Sequence, residues 1–147
     1  MSRLVFPFAA LITCAVLTIT AATGAARQRD DPEFLYELHC SGCHKRDGSG
    51  QGTFIPRLQG QVAQFLHRPG GREFLIQVPG VSQSMLSDKQ VAQVTNWALV
   101  RFDSENMPVN FEPITEKEVA ALRQKPLSDA SRVRAKVLAG ARKQHDH

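Results

Sequence analysis

The stretch "HCSGCH" (His39–His44) contains two of the three cysteines of this 147-residue chain and decides how the rest of the sequence is interpreted. Cys40 and Cys43 are separated by two residues, and His44 follows directly. A pair with this spacing can bind a metal ion, exchange a disulfide or attach a cofactor. The remainder of the sequence has to distinguish between these three chemistries.

The sequence offers little support for a structural zinc site or a redox disulfide. Zinc needs four ligands, commonly from a second cysteine pair or from two spaced histidines. There is no second pair, and His67, His145 and His147 do not have zinc-site spacing. A thioredoxin-like motif would require a βαβ context, which the sequence pattern lacks. A structural disulfide between residues three positions apart would close a very short loop and stabilise the fold little.

Cofactor attachment is the interpretation that uses the whole of "CSGCH". Two thiols at this spacing can add to the two vinyl groups of a haem, and the adjacent histidine then becomes an axial ligand of the iron. Ser41 and Gly42 are small enough to let the backbone lie close to the porphyrin edge. The sequence therefore predicts one haem c per chain, attached through Cys40 and Cys43 and coordinated by His44.

The N-terminus has the pattern of a secretory signal peptide. A basic residue precedes the apolar run of residues 4–20, and Gly24 and Ala26 occupy the −3 and −1 positions of a signal-peptidase site. We expect residues 1–26 to be removed and the mature protein to be periplasmic. An uncleaved membrane anchor and a lipoprotein site at Cys14 are the alternatives.

The mature chain shows helical periodicity, and no stretch has the period-two alternation of a β-sheet. Capping residues mark the expected helix starts: Asp30 or Asp31 before Pro32, Ser87 with Gln90 before the helix carrying Trp97, and Thr115 with Glu118. A short helix is expected at 61–67 and a last helix after Pro126, whereas 45–60, 78–84 and 103–114 are expected to be irregular. We therefore expect an all-α domain at residues 27–125, followed by a basic helix or tail at residues 126–147.

Charge is distributed unevenly along the chain. Residues 27–122 contain 10 Lys+Arg against 12 Asp+Glu, whereas residues 123–147 contain 7 against 2. No aromatic residue is interleaved with the basic residues of the tail, so nucleic-acid binding is not expected. One interpretation of this basic tail is a peripheral contact with an acidic partner or a membrane surface. Its candidate residues are Arg132, Arg134, Lys136, Arg142 and Lys143.

Residues 31–125 resemble the class I c-type cytochromes. Besides "CSGCH", the resemblance includes "IPRLQG", in which Pro56 follows His44 by twelve positions. In this family a proline carbonyl holds the proximal histidine, so the resemblance gives Pro56 that role and places Leu58 against the haem. It implies a cytochrome c-like helical domain wrapped round one covalently attached haem, with an extra C-terminal helix in this chain.

The sixth iron ligand is also suggested by the resemblance. Family members usually supply a methionine from a loop before the last core helix, often as Met-Pro, which Met107 and Pro108 match. Met85 is the alternative, because the helix carrying Trp97 could itself be the last core helix, which we call the closing helix. If neither methionine binds, His67 could bind or the position could be open.

The implied function is that of a periplasmic protein which carries single electrons between redox partners and is not an enzyme. The sequence does not identify the electron donor or acceptor. Two alternatives stay open: a haem protein with an open sixth position that binds a small ligand or peroxide, and a cytochrome subunit of a dehydrogenase complex. The extra tail after Pro126 is the feature that keeps the last alternative in view.

Overall fold

A computed structural model of the protein describes residues 30–52 and 55–140. In these ranges the regular structure is helical, which confirms the expected all-α fold class. The predicted signal peptide (1–26) and two of the basic tail residues (Arg142 and Lys143) lie outside the described residues. In chain order the helices are α1 (Pro32–His39), α2 (Ser41–His44), a first 3-10 helix (Ala63–His67), α3 (Gly71–Gln77), α4 (Pro79–Ser82), α5 (Asp88–Asp103), a second 3-10 helix (Ser104–Asn106), α6 (Glu116–Leu122) and α7 (Ala130–Ala139).

Helix α1 begins as its sequence predicts and leads into the cysteine motif. The side chain of Asp31 accepts a hydrogen bond from the Phe34 N–H at 2.9 Å, and Pro32 occupies the first turn. Leu35 and Tyr36 form its buried face. Since only Cys40 separates the end of α1 from the start of α2, burial of α1 also fixes the position of the motif.

Helix α5 is the longest described helix and packs against α1. Its capping box is complete, because the Ser87 side chain accepts from the Gln90 N–H and the Gln90 side chain accepts from the Ser87 N–H. The ring of Tyr36 lies 5.2 Å from that of Trp97 and 5.0 Å from that of Phe102, measured between centroids. Aromatic contacts of this kind contribute about 0.5–1.5 kcal/mol each beyond the apolar area they bury.

Helix α6 packs on α5 through a polar contact as well as an apolar one. The Asn96 side chain accepts from the Ile114 N–H at 2.9 Å and donates to the Ile114 carbonyl at 2.8 Å, while Val119 is fully buried. The Thr115 hydroxyl accepts from the Glu118 N–H as the capping pattern predicts. Both Glu118 carboxylate oxygens, however, accept from Arg72 rather than from the Thr115 backbone.

The segment after the first 3-10 helix differs from the sequence prediction. The expected short helix at 61–67 is a 3-10 helix that starts at Ala63, and residues 79–82, expected to be irregular, form one turn of α-helix. Between them lies α3, which the sequence analysis did not predict. A Cβ atom at Gly71 would lie 1.9 Å from the Phe65 carbonyl oxygen, so glycine is required where the two helices meet.

Helix α7 is attached to the domain. The Leu127 N–H donates to the Gln77 carbonyl at 3.0 Å, and the guanidinium of Arg134 lies 5.8 Å from the ring centroid of Phe65. Val133, Val137 and Leu138 also pack against the core. Within the described residues, no helix is both long enough and apolar enough to cross a membrane.

Arg123 ties the segment between α4 and α5 to the end of α6. Its guanidinium donates to the carbonyls of Ser82, Ser84 and Leu86 and to the Asp88 carboxylate, at 2.6–3.0 Å. Only 15% of the Arg123 side chain is exposed. Several charge-assisted hydrogen bonds of a nearly buried group make this one of the stronger polar contacts of the fold.

We predict that Arg123→Met lowers the free energy of unfolding by about 2–4 kcal/mol, because three backbone carbonyls lose their donor. Urea denaturation followed by circular dichroism would measure the loss. The control is Arg57→Met, because Arg57 is exposed and donates only to the Gln59 side chain among the hydrogen bonds seen for it. A loss at Arg123 no greater than at Arg57 would contradict the prediction.

Candidate haem-binding site

The two cysteines and the histidine of the motif lie on a single turn of helix. Cys40 is the residue between α1 and α2, and its carbonyl accepts from the N–H groups of Cys43 at 3.2 Å and His44 at 3.0 Å. Both thiols are free, with Cys40 half-buried and Cys43 exposed. Two reduced thiols and an imidazole on one turn are the donor set required for covalent haem attachment.

The imidazole of His44 is oriented by a backbone carbonyl. Its Nδ1 lies 3.2 Å from the carbonyl oxygen of Pro56. A carbonyl can only accept, so Nδ1 carries the hydrogen and Nε2 is left with its lone pair. Burial lowers the pKa of His44, which favours the neutral ring. A neutral imidazole whose second nitrogen donates to a carbonyl is the usual form of a metal-bound histidine.

The Cys40 thiol is in a setting that keeps it protonated. Burial raises the pKa of Cys40 to about 11. Within the described residues no group of three or more His, Cys, Asp or Glu side chains could hold a metal ion. The donor set thus fits haem attachment better than the direct binding of zinc.

The loop after the motif brings Pro56 back to His44. The Gly50 N–H donates to the His44 carbonyl at 3.0 Å, and the Leu58 N–H donates to the Gly48 carbonyl at 2.7 Å. Gly50 has φ +70°, and a Cβ there would lie 2.4 Å from the Ile55 carbonyl oxygen. The glycines that argued against regular structure in the sequence therefore allow a tight return of the chain.

Leu58 and the candidate sixth ligands lie in different environments. Leu58 and Met107 are half-buried and pack against the apolar core. Met85 is 93% exposed. His67 is exposed, and its Nε2 donates to the Asn106 carbonyl at 2.8 Å. Met107 is therefore the candidate with the most enclosed side chain.

A cavity of about 400 Å³ lies beside the loop that follows Met107. It is lined by Leu66, Arg72, Pro108, Asn110, Phe111, Glu112 and Glu118. The lining includes neither the cysteines nor His44. Arg72 and Glu118 form an ion pair with each other, so neither is available to bind an ion in the cavity.

Sequence reasoning missed two residues that support the motif. The hydroxyl of Tyr36 donates to the carbonyl of Lys45 at 2.7 Å, directly after His44. Tyr36 lies one helical turn before Cys40, a spacing that could have suggested a supporting role. Lys45 has φ +61°, and nothing about a lysine predicts that backbone conformation.

A buried carboxylate was also missed. Asp103 accepts from the Ala63 N–H at 2.7 Å and from the Asn106 side chain at 2.6 Å, and so joins the first 3-10 helix to the segment before Met107. In the sequence it reads as an ordinary polar residue at the end of a helix. Its role depends on a contact across 40 positions, which local patterns do not contain.

Comparison with known proteins supports the interpretation of this site. No protein-family profile matches the chain. A curated protein named cytochrome c-552, from Thermus thermophilus, is 32% identical over 123 residues, which cover 71% of this chain and 82% of the relative. A second cytochrome c-552 from Thermus thermophilus is 33% identical over 107 residues, covering 60% of this chain and 82% of the relative.

The matches cover most of each relative, and the helical fold agrees with what the sequence resemblance implied. Two cysteine thiols and a carbonyl-bound imidazole on one turn of helix agree with this assignment. The chain belongs to the small c-type cytochromes, electron-transfer haem proteins that carry one covalently attached haem c.

Proposed function

We propose that this protein is a periplasmic electron carrier whose haem is attached through Cys40 and Cys43, with His44 as the proximal iron ligand. The hydrogen bond between His44 Nδ1 and the Pro56 carbonyl is the observation that supports this assignment most directly. It leaves Nε2 free and fixes the plane of the ring. The domain would span residues 27–125, after removal of a signal peptide at residues 1–26.

The haem supplies the chemistry of the reaction, since its iron accepts and releases one electron at a time. The residues of the chain bind the haem, orient its ligands and exclude water from it. Pro56 holds the ring of His44, and Leu58, from the same loop, would pack its apolar side chain on the haem. No side chain has to act as acid, base or nucleophile in this function.

Met107 is our proposed sixth ligand. It stands in a Met-Pro pair, as family members often have for this ligand, and its half-buried side chain packs against the core. A thioether ligand raises the reduction potential of a haem compared with a second imidazole. That choice suits a carrier that passes electrons towards acceptors of high potential.

The order of the helices keeps two alternatives to Met107: Met85 and an open sixth position. Met85 comes directly before α5, and Met107 comes only after that helix. Family members usually place the ligand before the closing helix, and α5 packs against α1 as a closing helix would. If neither methionine binds the iron, the sixth position would be open, and such a haem would bind a small ligand or peroxide rather than serve only as a carrier.

The fold reduces the number of tail residues that are available to contact a partner protein. Arg134 packs over Phe65 and lies 3.4 Å from the Gln61 side-chain oxygen, so it is engaged within the domain. Arg132 and Lys136 are exposed and one helical turn apart on α7. We propose that these two cations attract an acidic redox partner.

For the attachment, we predict that Cys43→Ala cripples maturation, so that little haem-loaded protein forms, because one of the two thioether bonds cannot form. Acid-acetone extraction followed by absorption spectroscopy measures the retained haem. Ser41→Ala on the same turn is the control, because Ser41 only donates its hydroxyl to the Glu37 carbonyl. If acid-acetone removes the haem of the wild-type protein, covalent attachment is disproved.

For the iron, we predict that Met107→Ala abolishes the absorption and magnetic circular dichroism bands of an iron–sulfur bond and lets cyanide bind faster. Met85→Ala is the matched comparison and should leave both unchanged if Met107 is the ligand. The reverse pattern would assign the ligand to Met85. A high-spin ferric wild-type protein would support the open-site alternative instead.

For the tail, we predict that replacing Arg132 and Lys136 together by glutamine slows electron transfer to an acidic copper protein several-fold at low salt. The difference should vanish at high salt, since charges are screened over about 10 Å at 0.1 M ionic strength. Lys117→Gln is a control, because Lys117 is exposed on α6, outside the tail. Equal rates for the double variant and wild type at low salt would exclude the proposed attraction.

A further inference from the structure

The residue directly after His44 has an unfavourable backbone conformation. Lys45 has φ +61° and ψ 162°, a region that is occupied almost only by glycine. Its side chain is exposed. The lysine side chain is thus not the reason for the conformation, which must be imposed by the surrounding structure.

Hydrogen bonds to the Lys45 backbone explain how the conformation is held. The Lys45 N–H donates to the Ser41 carbonyl at 2.8 Å. The Lys45 carbonyl accepts from the Tyr36 hydroxyl at 2.7 Å and from the Gly48 N–H at 3.2 Å. The hydroxyl forms the shorter of the two bonds to this carbonyl. It is also the bond that a single substitution can remove without changing the backbone.

Tyr36 is in a position to impose that constraint. It is 2% exposed, and its ring is enclosed by Trp97 and Phe102 of α5. A buried ring with two aromatic neighbours has little freedom to move its hydroxyl. The Tyr36 carbonyl also accepts from the Cys40 N–H at 2.9 Å. Tyr36 therefore forms hydrogen bonds both at the first cysteine of the motif and directly after its histidine.

The geometry points to Tyr36 as a positioning residue: its hydroxyl holds the strained Lys45 backbone, and this backbone fixes the imidazole of His44 against Pro56. The inference rests on the proposed role of His44 as iron ligand. If Lys45 relaxed to negative φ, the peptide that follows His44 would rotate. The His44 carbonyl, which accepts from the Gly50 N–H, and the loop that carries Pro56 would then move with it.

The test is Tyr36→Phe in the haem-loaded protein. We expect its reduction potential to shift and the paramagnetically shifted NMR resonances of the His44 ring to move in the ferric state. The folding equilibrium constant should fall about tenfold, the effect of losing one buried hydrogen bond. A residue that only stabilised the fold would change that constant without moving the His44 resonances.

The control removes a comparable hydrogen bond elsewhere. The hydroxyl of Ser82 is also buried and lies 3.2 Å from the Gln77 carbonyl and 3.1 Å from the Val78 carbonyl. Ser82→Ala should therefore lower stability while leaving the potential and the His44 resonances at their wild-type values. The same displacement of the resonances in Ser82→Ala and Tyr36→Phe would overturn the inference.

A rescue experiment tests the mechanism and covers the case in which Tyr36→Phe folds poorly. Glycine adopts φ +61° without strain, so Lys45→Gly should raise stability and keep the wild-type resonances. In the double variant Tyr36→Phe/Lys45→Gly, the His44 resonances and the potential should return towards wild type. Resonances that stay displaced in the double variant would overturn the inference.

Failure of the inference is distinguishable from failure of the proposed function. If the wild-type ferric protein shows no paramagnetically shifted His44 ring, His44 is not the ligand, and both fall together. If wild type shows these resonances and Tyr36→Phe leaves them and the potential unchanged, only the positioning role of Tyr36 is disproved.

Discussion

The hydrogen bond from His44 to the Pro56 carbonyl is the constraint on which the loop between residues 45 and 60 depends. It requires the chain to leave the motif, reverse and return within twelve residues. The reversal brings Gly50 so close to Ile55 that a side chain at position 50 would overlap the backbone. An imidazole held by a backbone carbonyl keeps one tautomer, and its orientation does not depend on the rotamer of another side chain.

The motif itself is carried by a rigid pair of helices. Tyr36, Trp97 and Phe102 join α1 to α5, and α2 follows α1 after a single residue. A redox protein works best when its ligand geometry changes little with the oxidation state of the metal. Here that rigidity comes from aromatic packing and backbone hydrogen bonds, which involve few charged groups.

Much of the fold could be predicted because its signals are local. Asp31, Ser87 and Thr115 cap helices at the positions that the sequence predicts. The spacing of the two cysteines and the histidine likewise indicates haem attachment without any distant residue. Helix α3 was missed because only six residues separate "RPGG" from "VPG", too few for periodicity to show. Glu118 and Asp103 were misjudged or overlooked because their partners lie more than 35 positions away.

The site could be predicted only in part, for a related physical reason. The spacing of Cys40, Cys43 and His44 contains their chemistry, but the enclosure of Met107 and the exposure of Met85 depend on tertiary packing. Arg134 shows the same limit. In the sequence it is one cation of a basic tail, whereas in the fold its guanidinium covers an aromatic ring.

The contact between Trp97 and Tyr36 gives the protein a built-in optical reporter. Trp97 is the single tryptophan of the sequence. Its ring lies 5.2 Å from that of Tyr36, on the helix that leads into the motif. Haem absorbs where tryptophan emits, so a haem attached at this motif would quench indole fluorescence by energy transfer over a short distance. Separation of α5 from α1 would restore the emission, so unfolding can be followed with no added label.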